Sequence, residues 1–243
     1  MTDPASTHRF DGRSVVVTGV GRAGQVGEVV ARVFAQRGAA VAIIDRDSAG
    51  AESLAAAMRA QRLSVDAYGC DLTDVVATAG VFARIASANG GRIDALANVA
   101  GGFTPSGPVA DSDPSVFRRQ LAINLESAYG ATRACIPLMR ASGGAIVFMS
   151  AAAVLPRGKV AGMAGYAAAK AGVLALMRAV AQEERTNGIR ANALAPTAIR
   201  TAANLDSMGA EFAYVERESV AGVIAFLCSV EASSITGQVI ELA

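Results

Sequence analysis

The chain has 243 residues, 52% of them hydrophobic and 18% charged, with a single histidine, His8, in a polar leader spanning residues 1–9. Histidine-dependent base, nucleophile and metal chemistry is therefore set aside. Twenty-two basic against 21 acidic residues give a formal charge of +1, which leaves no footprint for nucleic acid or an anionic membrane.

In chain order, a strand is predicted at residues Ser14–Thr18, followed by a glycine-rich turn to Gly27 and a helix over residues 25–36. Glycines let backbone amides approach a pyrophosphate, and the helix N-terminus adds partial positive charge. Gly19, Gly21, Arg22, Gly24, Gln25 and Val26 are the candidate contacts. A second strand, residues 40–44, closes on Asp45, eighteen residues after Gly27, where a carboxylate accepts hydrogen bonds from adenosine ribose hydroxyls. That carboxylate repels a 2′-phosphate, whereas Arg46 and Arg22 attract one. Asp45 is the better placed, so NAD(H) is favoured, with NADP(H) the alternative.

Further helices are expected over residues 48–61, 74–88, 121–140, 166–185 and 219–229, and strands over 64–70, 95–99, 145–149, 189–193 and 238–242. Most strands are apolar at consecutive positions, as a parallel sheet covered on both faces requires. The expected fold is α/β: one Rossmann-type, doubly wound, parallel seven-stranded sheet from residue 10 to the end. Cys70, Cys135 and Cys228 are odd in number, widely spaced and set in apolar segments, which suits buried reduced thiols in a cytosolic protein. Neither a signal peptide nor an apolar run near ~18 residues is seen.

Tyr166 and Lys170 stand four residues apart, on one helix face. A neighbouring cation stabilises phenolate and lowers a tyrosine pKa from about 10, so the phenol can exchange a proton near neutral pH. Taken alone, such a pair is more commonly a structural tyrosine beside a solvated lysine.

The ordered set Thr18-Gly19 to Gly27, Asp71-Leu72-Thr73, Asn98 to Gly101, Asn124-Leu125, Tyr166 with Lys170, Asn192 to Pro196 and Ile235 to Gln238 resembles the short-chain dehydrogenase/reductase family, in particular its 3-oxoacyl-[acyl-carrier-protein] reductase-like members. The resemblance implies a nicotinamide cofactor and hydride transfer to or from a carbonyl carbon. It makes Tyr166 the general acid, Lys170 its tuner and the holder of the nicotinamide ribose, and Asn124 the positioner of a relay water. Asp71 and Leu72 would contact adenine, Asn98, Ala100 and Gly101 would line the cleft, and Pro196, Ile199 and Thr201 would flank the carboxamide. Family members commonly form tetramers, so a homo-oligomer, tetramer or dimer, is expected through helices beginning near Asn124 and Tyr166.

Three departures stand out. The family's catalytic serine falls on Ala151 by strand matching, or on Ala153 by counting back from Tyr166. Ser150 replaces it only if the strand end is bulged or shifted, because successive side chains point to opposite faces. The glycine turn is two residues longer than usual, and residues 201–219 make a short lid that Pro156, Arg157 and the loop to Met163 partly supplement. The expected partner is a small or carrier-tethered carbonyl compound: an oxoacyl thioester, a sugar or polyol, a steroid-like ketone or a secondary alcohol. The competing reading is a cofactor-binding scaffold with weak or no catalysis.

Overall fold

Short valine-, isoleucine- and alanine-rich runs form seven strands in the computed structural model, which describes residues 9–243. They are β1 (Ser14–Thr18), β2 (Ala40–Asp45), β3 (Val65–Gly69), β4 (Ala95–Asn98), β5 (Gly144–Met149), β6 (Ile189–Pro196) and β7 (Val239–Leu242). All pair in parallel in the order β3-β2-β1-β4-β5-β6-β7. Strand order reverses between β1 and β4, and in such a sheet a crevice opens at the carboxyl ends of the strands there.

Helices α1 (Val26–Gln36), α2 (Ser48–Arg59) and α8 (Arg217–Cys228) cover one face, burying Val30, Phe34, Met58 and Ile224. On the other face α3 (Val75–Ala88), α5 (Ser127–Met139) and α6 (Ala164–Glu183) bury Phe82, Ile85, Met139 and Met177. Both sheet surfaces are thus excluded from water, which is why the central strands read as unbroken apolar runs.

The helix expected over 121–140 is a π turn followed by a helix, and a further helix that went unread precedes it. Helix α4 (Pro114–Leu121) starts where the Asp113 carboxylate accepts from Ser115 N at 2.7 Å, with Pro114 in the first turn. Its Arg118-Arg119-Gln120 run obscured the helical period. Residues Ala122–Glu126 then widen into a π turn before α5 begins. A further helix, α7 (Ala202–Met208), also went unread; its start is capped by the Thr201 hydroxyl, which accepts from Asn204 N.

Helix α6, at 20 residues, is long and apolar enough by length and composition to cross a membrane, an exception to the sequence reading. Its Ala169, Val173, Met177 and Val180 are buried in the core. The three cysteines are free and buried, and burial pushes the Cys135 and Cys228 thiols up. Among the described residues no cluster of three metal-ligating side chains occurs. His8 and the leader, Arg9 excepted, lie outside the described residues.

Candidate active site

A polar cleft of about 660 Å³ opens at the carboxyl ends of β1, β2 and β4. Gly19, Gly21, Arg22, Gln25 and Val26 line it from the glycine turn, Asp45 and Arg46 from the end of β2, and Asp71, Leu72, Ala100 and Gly101 from the following turns. The turn sits hard against the second strand: a Cβ on Gly21 would lie 2.5 Å from the Asp45 carboxyl carbon, so only glycine leaves that carboxylate room. Asp45 Oδ1 accepts from Asp47 N at 2.9 Å, which fixes its orientation. The Asp71 carboxyl is held below its usual range by the Thr73 amide and hydroxyl.

Helix α1 begins without a side-chain cap, since Gln25 makes no capping hydrogen bond. Its first amides therefore await an acceptor, and they face a cleft edged by Arg22 and Arg46. This donor set, with Asp45 opposite, fits a dinucleotide: diphosphate at the helix start and ribose hydroxyls at the carboxylate.

Two residues expected in the cleft are turned from it. Gly24 offers no amide, because its N–H donates to Glu28 Oε2 at 2.8 Å and its carbonyl accepts from Arg217 at 2.7 Å. Asn98 is buried beneath the cleft, its amide donating to Thr132 Oγ1 at 3.0 Å.

Beyond the cleft, Tyr166 lies in the first turn of α6, partly buried, with the Lys170 ammonium 5.7 Å from its ring centroid. Lys170 is buried and donates to the Met149 carbonyl at 2.9 Å. Asn124 sits in the π turn, a distortion frequent at functional sites. Its Oδ1 accepts from Gly102 N at 3.1 Å, and its Nδ2 donates to the carbonyls of Gly102 and Gln120, each at 3.0 Å. Gly101 is where these parts converge: a Cβ there would stand 2.5 Å from Asn124 Oδ1 and 3.4 Å from Lys170 Nζ.

The expected depression of the tyrosine is not what the site alone produces. Burial pushes the Tyr166 phenol up to about 12 and the Lys170 ammonium down to about 8. Desolvation, which disfavours both charged forms, outweighs the attraction between them.

A second cavity of about 690 Å³, mostly apolar, lies on the far side of Tyr166 and is lined by Ala151, Leu155, Met163, Pro196, Met208 and Phe212 among others. Ser150 is not in its wall. The backbone stays extended at Ala151 (φ −151°, ψ 144°), so the two side chains alternate, and Ser150 Oγ donates to the Lys170 carbonyl at 2.9 Å. The bulge that Ser150 needed in order to face the cavity is absent. Together with the Lys170–Met149 bond, the Ser150 hydroxyl fastens β5 to α6. Pro196 reaches the cavity, but Ile199 bridges Val215 and Thr201 caps α7, and neither lines either opening.

Sequence reasoning missed two residues. Phe103, 54% exposed, packs edge-on against Tyr166 with centroids 5.1 Å apart and lines both cavities; its position directly after Gly101-Gly102 was the available signal. Gln120 is fully buried, accepts weakly from Asn124 Nδ2 at 3.3 Å, and has an Nε2 without a partner. An uncharged amide beside two arginines gave no hint of burial.

Comparison with known proteins places this geometry. A family model described as enoyl-(acyl carrier protein) reductase matches residues 19–242. The chain is 37% identical over 247 residues to a (5R,7aS)-5-hydroxy-7a-methyl-1-oxo-2,3,5,6,7,7a-hexahydro-1H-indene-carboxyl-CoA reductase of Mycobacterium tuberculosis, covering 96% of this chain and 92% of that one. It is 32% identical to meso-2,3-butanediol dehydrogenase of Serratia marcescens, covering 94% and 92%. The crystal structure of a short chain dehydrogenase from Mycobacterium smegmatis superposes with a TM-score of 0.85 at 30% identity, over 97% of this chain and 93% of that one.

Proposed function

The chain belongs to the short-chain dehydrogenase/reductase family of oxidoreductases, and we propose that it interconverts a ketone and its secondary alcohol with Tyr166 carrying the proton. The observation that carries this is the phenol in the wall of the apolar cavity, beside a buried ammonium and edge-on to Phe103, which lines both openings. When bound, the nicotinamide supplies or accepts hydride at the carbonyl carbon. The α1 amides and Arg22 hold the diphosphate, Asp45 the adenosine ribose and Lys170 the nicotinamide ribose. NAD(H) is favoured by Asp45, with NADP(H) left to Arg22 and Arg46.

In reduction, Tyr166 donates its proton to the substrate oxygen and the Lys170 ammonium stabilises the resulting phenolate. A phenol pushed up to about 12 keeps its proton throughout the neutral range, which suits reduction better than oxidation there. Asn124 supports the relay by clamping Gly102 to the π turn. Alanine at 151 removes a second donor to the substrate oxygen, a loss of about 10²–10³ in turnover where nothing replaces it. That alanine is the one observation favouring a non-catalytic cofactor-binding scaffold; the retained Tyr166, Lys170 and Asn124 weigh against it.

Further parts of this reading are a cytosolic location, supported by three buried free thiols, and a homo-oligomer through α5 and α6, supported by the exposed Tyr129 on α5. Size-exclusion chromatography with light scattering checks the second. The deciding experiment is Tyr166→Phe: ketone reduction should fall by about 10²–10⁴-fold while dinucleotide binding by titration is kept. Unchanged turnover removes Tyr166 from the chemistry.

A further inference from the structure

The cavity beyond Tyr166 has an uneven wall. Most of its lining is methyl, thioether and ring: Ala151, Leu155, Met163, Met208, Phe212 and Phe103, the last packed edge-on against the phenol. The other polar side chains lining it are Thr197, Glu241 of β7, and two cations, Arg157 and Lys159, on the loop leaving β5. A polyol placed there would leave most of its hydroxyls without partners, at about 1–3 kcal/mol for each one buried.

Arg157 and Lys159 are exposed, and neither has an ion-pair or hydrogen-bond partner among the described residues. The chain's basic residues are almost all arginine; Lys159 and Lys170 are its two lysines, and both belong to this site. Two unpaired cations on one short loop outweigh the single carboxylate of Glu241 and give the cavity a positive rim.

We propose that this cavity takes an apolar ketone, or the matching secondary alcohol, whose far end carries an anion, with Arg157 and Lys159 receiving that anion. The inference rests on the oxidoreductase reading of the same site and adds its substrate class. The anion is a free carboxylate or the phosphates of a carrier thioester; both present oxygen anions to an exposed guanidinium and ammonium. The apolar body fills the space between Ala151 and Phe212, and the ketone oxygen meets the Tyr166 phenol.

The test is a matched set of alicyclic ketones sharing one ring skeleton: the free acid, its coenzyme A thioester and its neutral methyl ester. Either anion should show kcat/KM about three- to tenfold above the ester, with the advantage shrinking as salt rises, as exposed charge pairs do. The better of the two identifies the source of the anion. The double charge reversal Arg157→Glu with Lys159→Glu should bring the ratio to one or below. In parallel, amine-reactive labelling read by peptide mass spectrometry should show Lys159 protected by the anionic ketones and not by the ester. Equal kcat/KM with no protection overturns the proposal, and so does an anion advantage that survives the charge reversal. Protection of Lys159 without turnover of any member upholds the anion site and removes the ketone-reduction reading instead.

Discussion

The two openings on either side of Tyr166 are similar in volume and built on opposite plans. The dinucleotide cleft is made by backbone: a turn pressed onto β2, helix amides without a cap and a carboxylate held by a neighbouring N–H. The far cavity is made by side chains on loops and on the short helix α7. Main-chain recognition tolerates little change, because the atoms that bind are the atoms that fold. Side-chain recognition on loops can change without disturbing the fold, and it is there that Ala151 stands at the position the family resemblance gives to a serine, with the exposed Arg157 and Lys159 at the rim.

That contrast can be sharpened or broken by substitution. The largest gain in turnover is expected on the cavity side, where Ala151→Ser places a hydroxyl in the cavity wall. Turnover of a small ketone should rise by about 10–100-fold, part of what an oxyanion donor supplies. A flat response in steady-state kinetics would mean another group already fills the role. On the cleft side, Gly101→Ala drives a methyl into Asn124 and should cost about 1–3 kcal/mol in urea unfolding, together with activity.

Lys170→Met tests the junction and carries the opposite sign. Burial lowers the folded-state pKa of Lys170 to about 8 from an ordinary 10.5, so between those values the unfolded chain binds more protons and stability rises with pH. Below about pH 8 the full desolvation cost is present. After allowance for the lost bond to the Met149 carbonyl, the variant should be about 1–2 kcal/mol more stable at pH 7 and nearly inactive. The gain should disappear by about pH 10.5. Unfolding curves at pH 7 and pH 10.5 measure both ends. The smallest effect is expected from Asp45→Ala: the ratio of kcat/KM for NADH over NADPH should drop about three- to tenfold as a repulsion is relieved beside Arg22 and Arg46. A wild type that already prefers NADPH would reverse the cofactor assignment.

Most of the fold could be read because hydrophobic period and chain order carry it: all seven strands were legible, and their ends moved by at most one residue except at β6, where Leu194-Ala195-Pro196 continued the ladder. The helices that escaped, α4 and α7, are short and mostly polar or exposed, and their evidence lay in caps at Asp113 and Thr201 rather than in periodicity. At the site, Tyr166, Lys170 and Asp45 could be picked out by residue type and spacing, and Asn124 by the family resemblance alone. What the pattern hid was direction. Gly24 and Asn98 face away from the cleft because each has a tertiary partner, Arg217 and Thr132, far off in sequence. Ser150 is committed to the Lys170 carbonyl for the same reason. The pKa expectation failed because it counted the charge of Lys170 and not the loss of water around both groups.

The uncapped start of α1 has a thermodynamic consequence. A ligand whose oxygens accept from those amides satisfies bonds that the fold itself leaves open, so binding and folding are linked. Saturation at one hundred times the dissociation constant adds about 2.7 kcal/mol to the folded state. A melting experiment with each dinucleotide in turn therefore ranks the cofactors without any substrate in hand, and inorganic diphosphate alone should recover part of the shift.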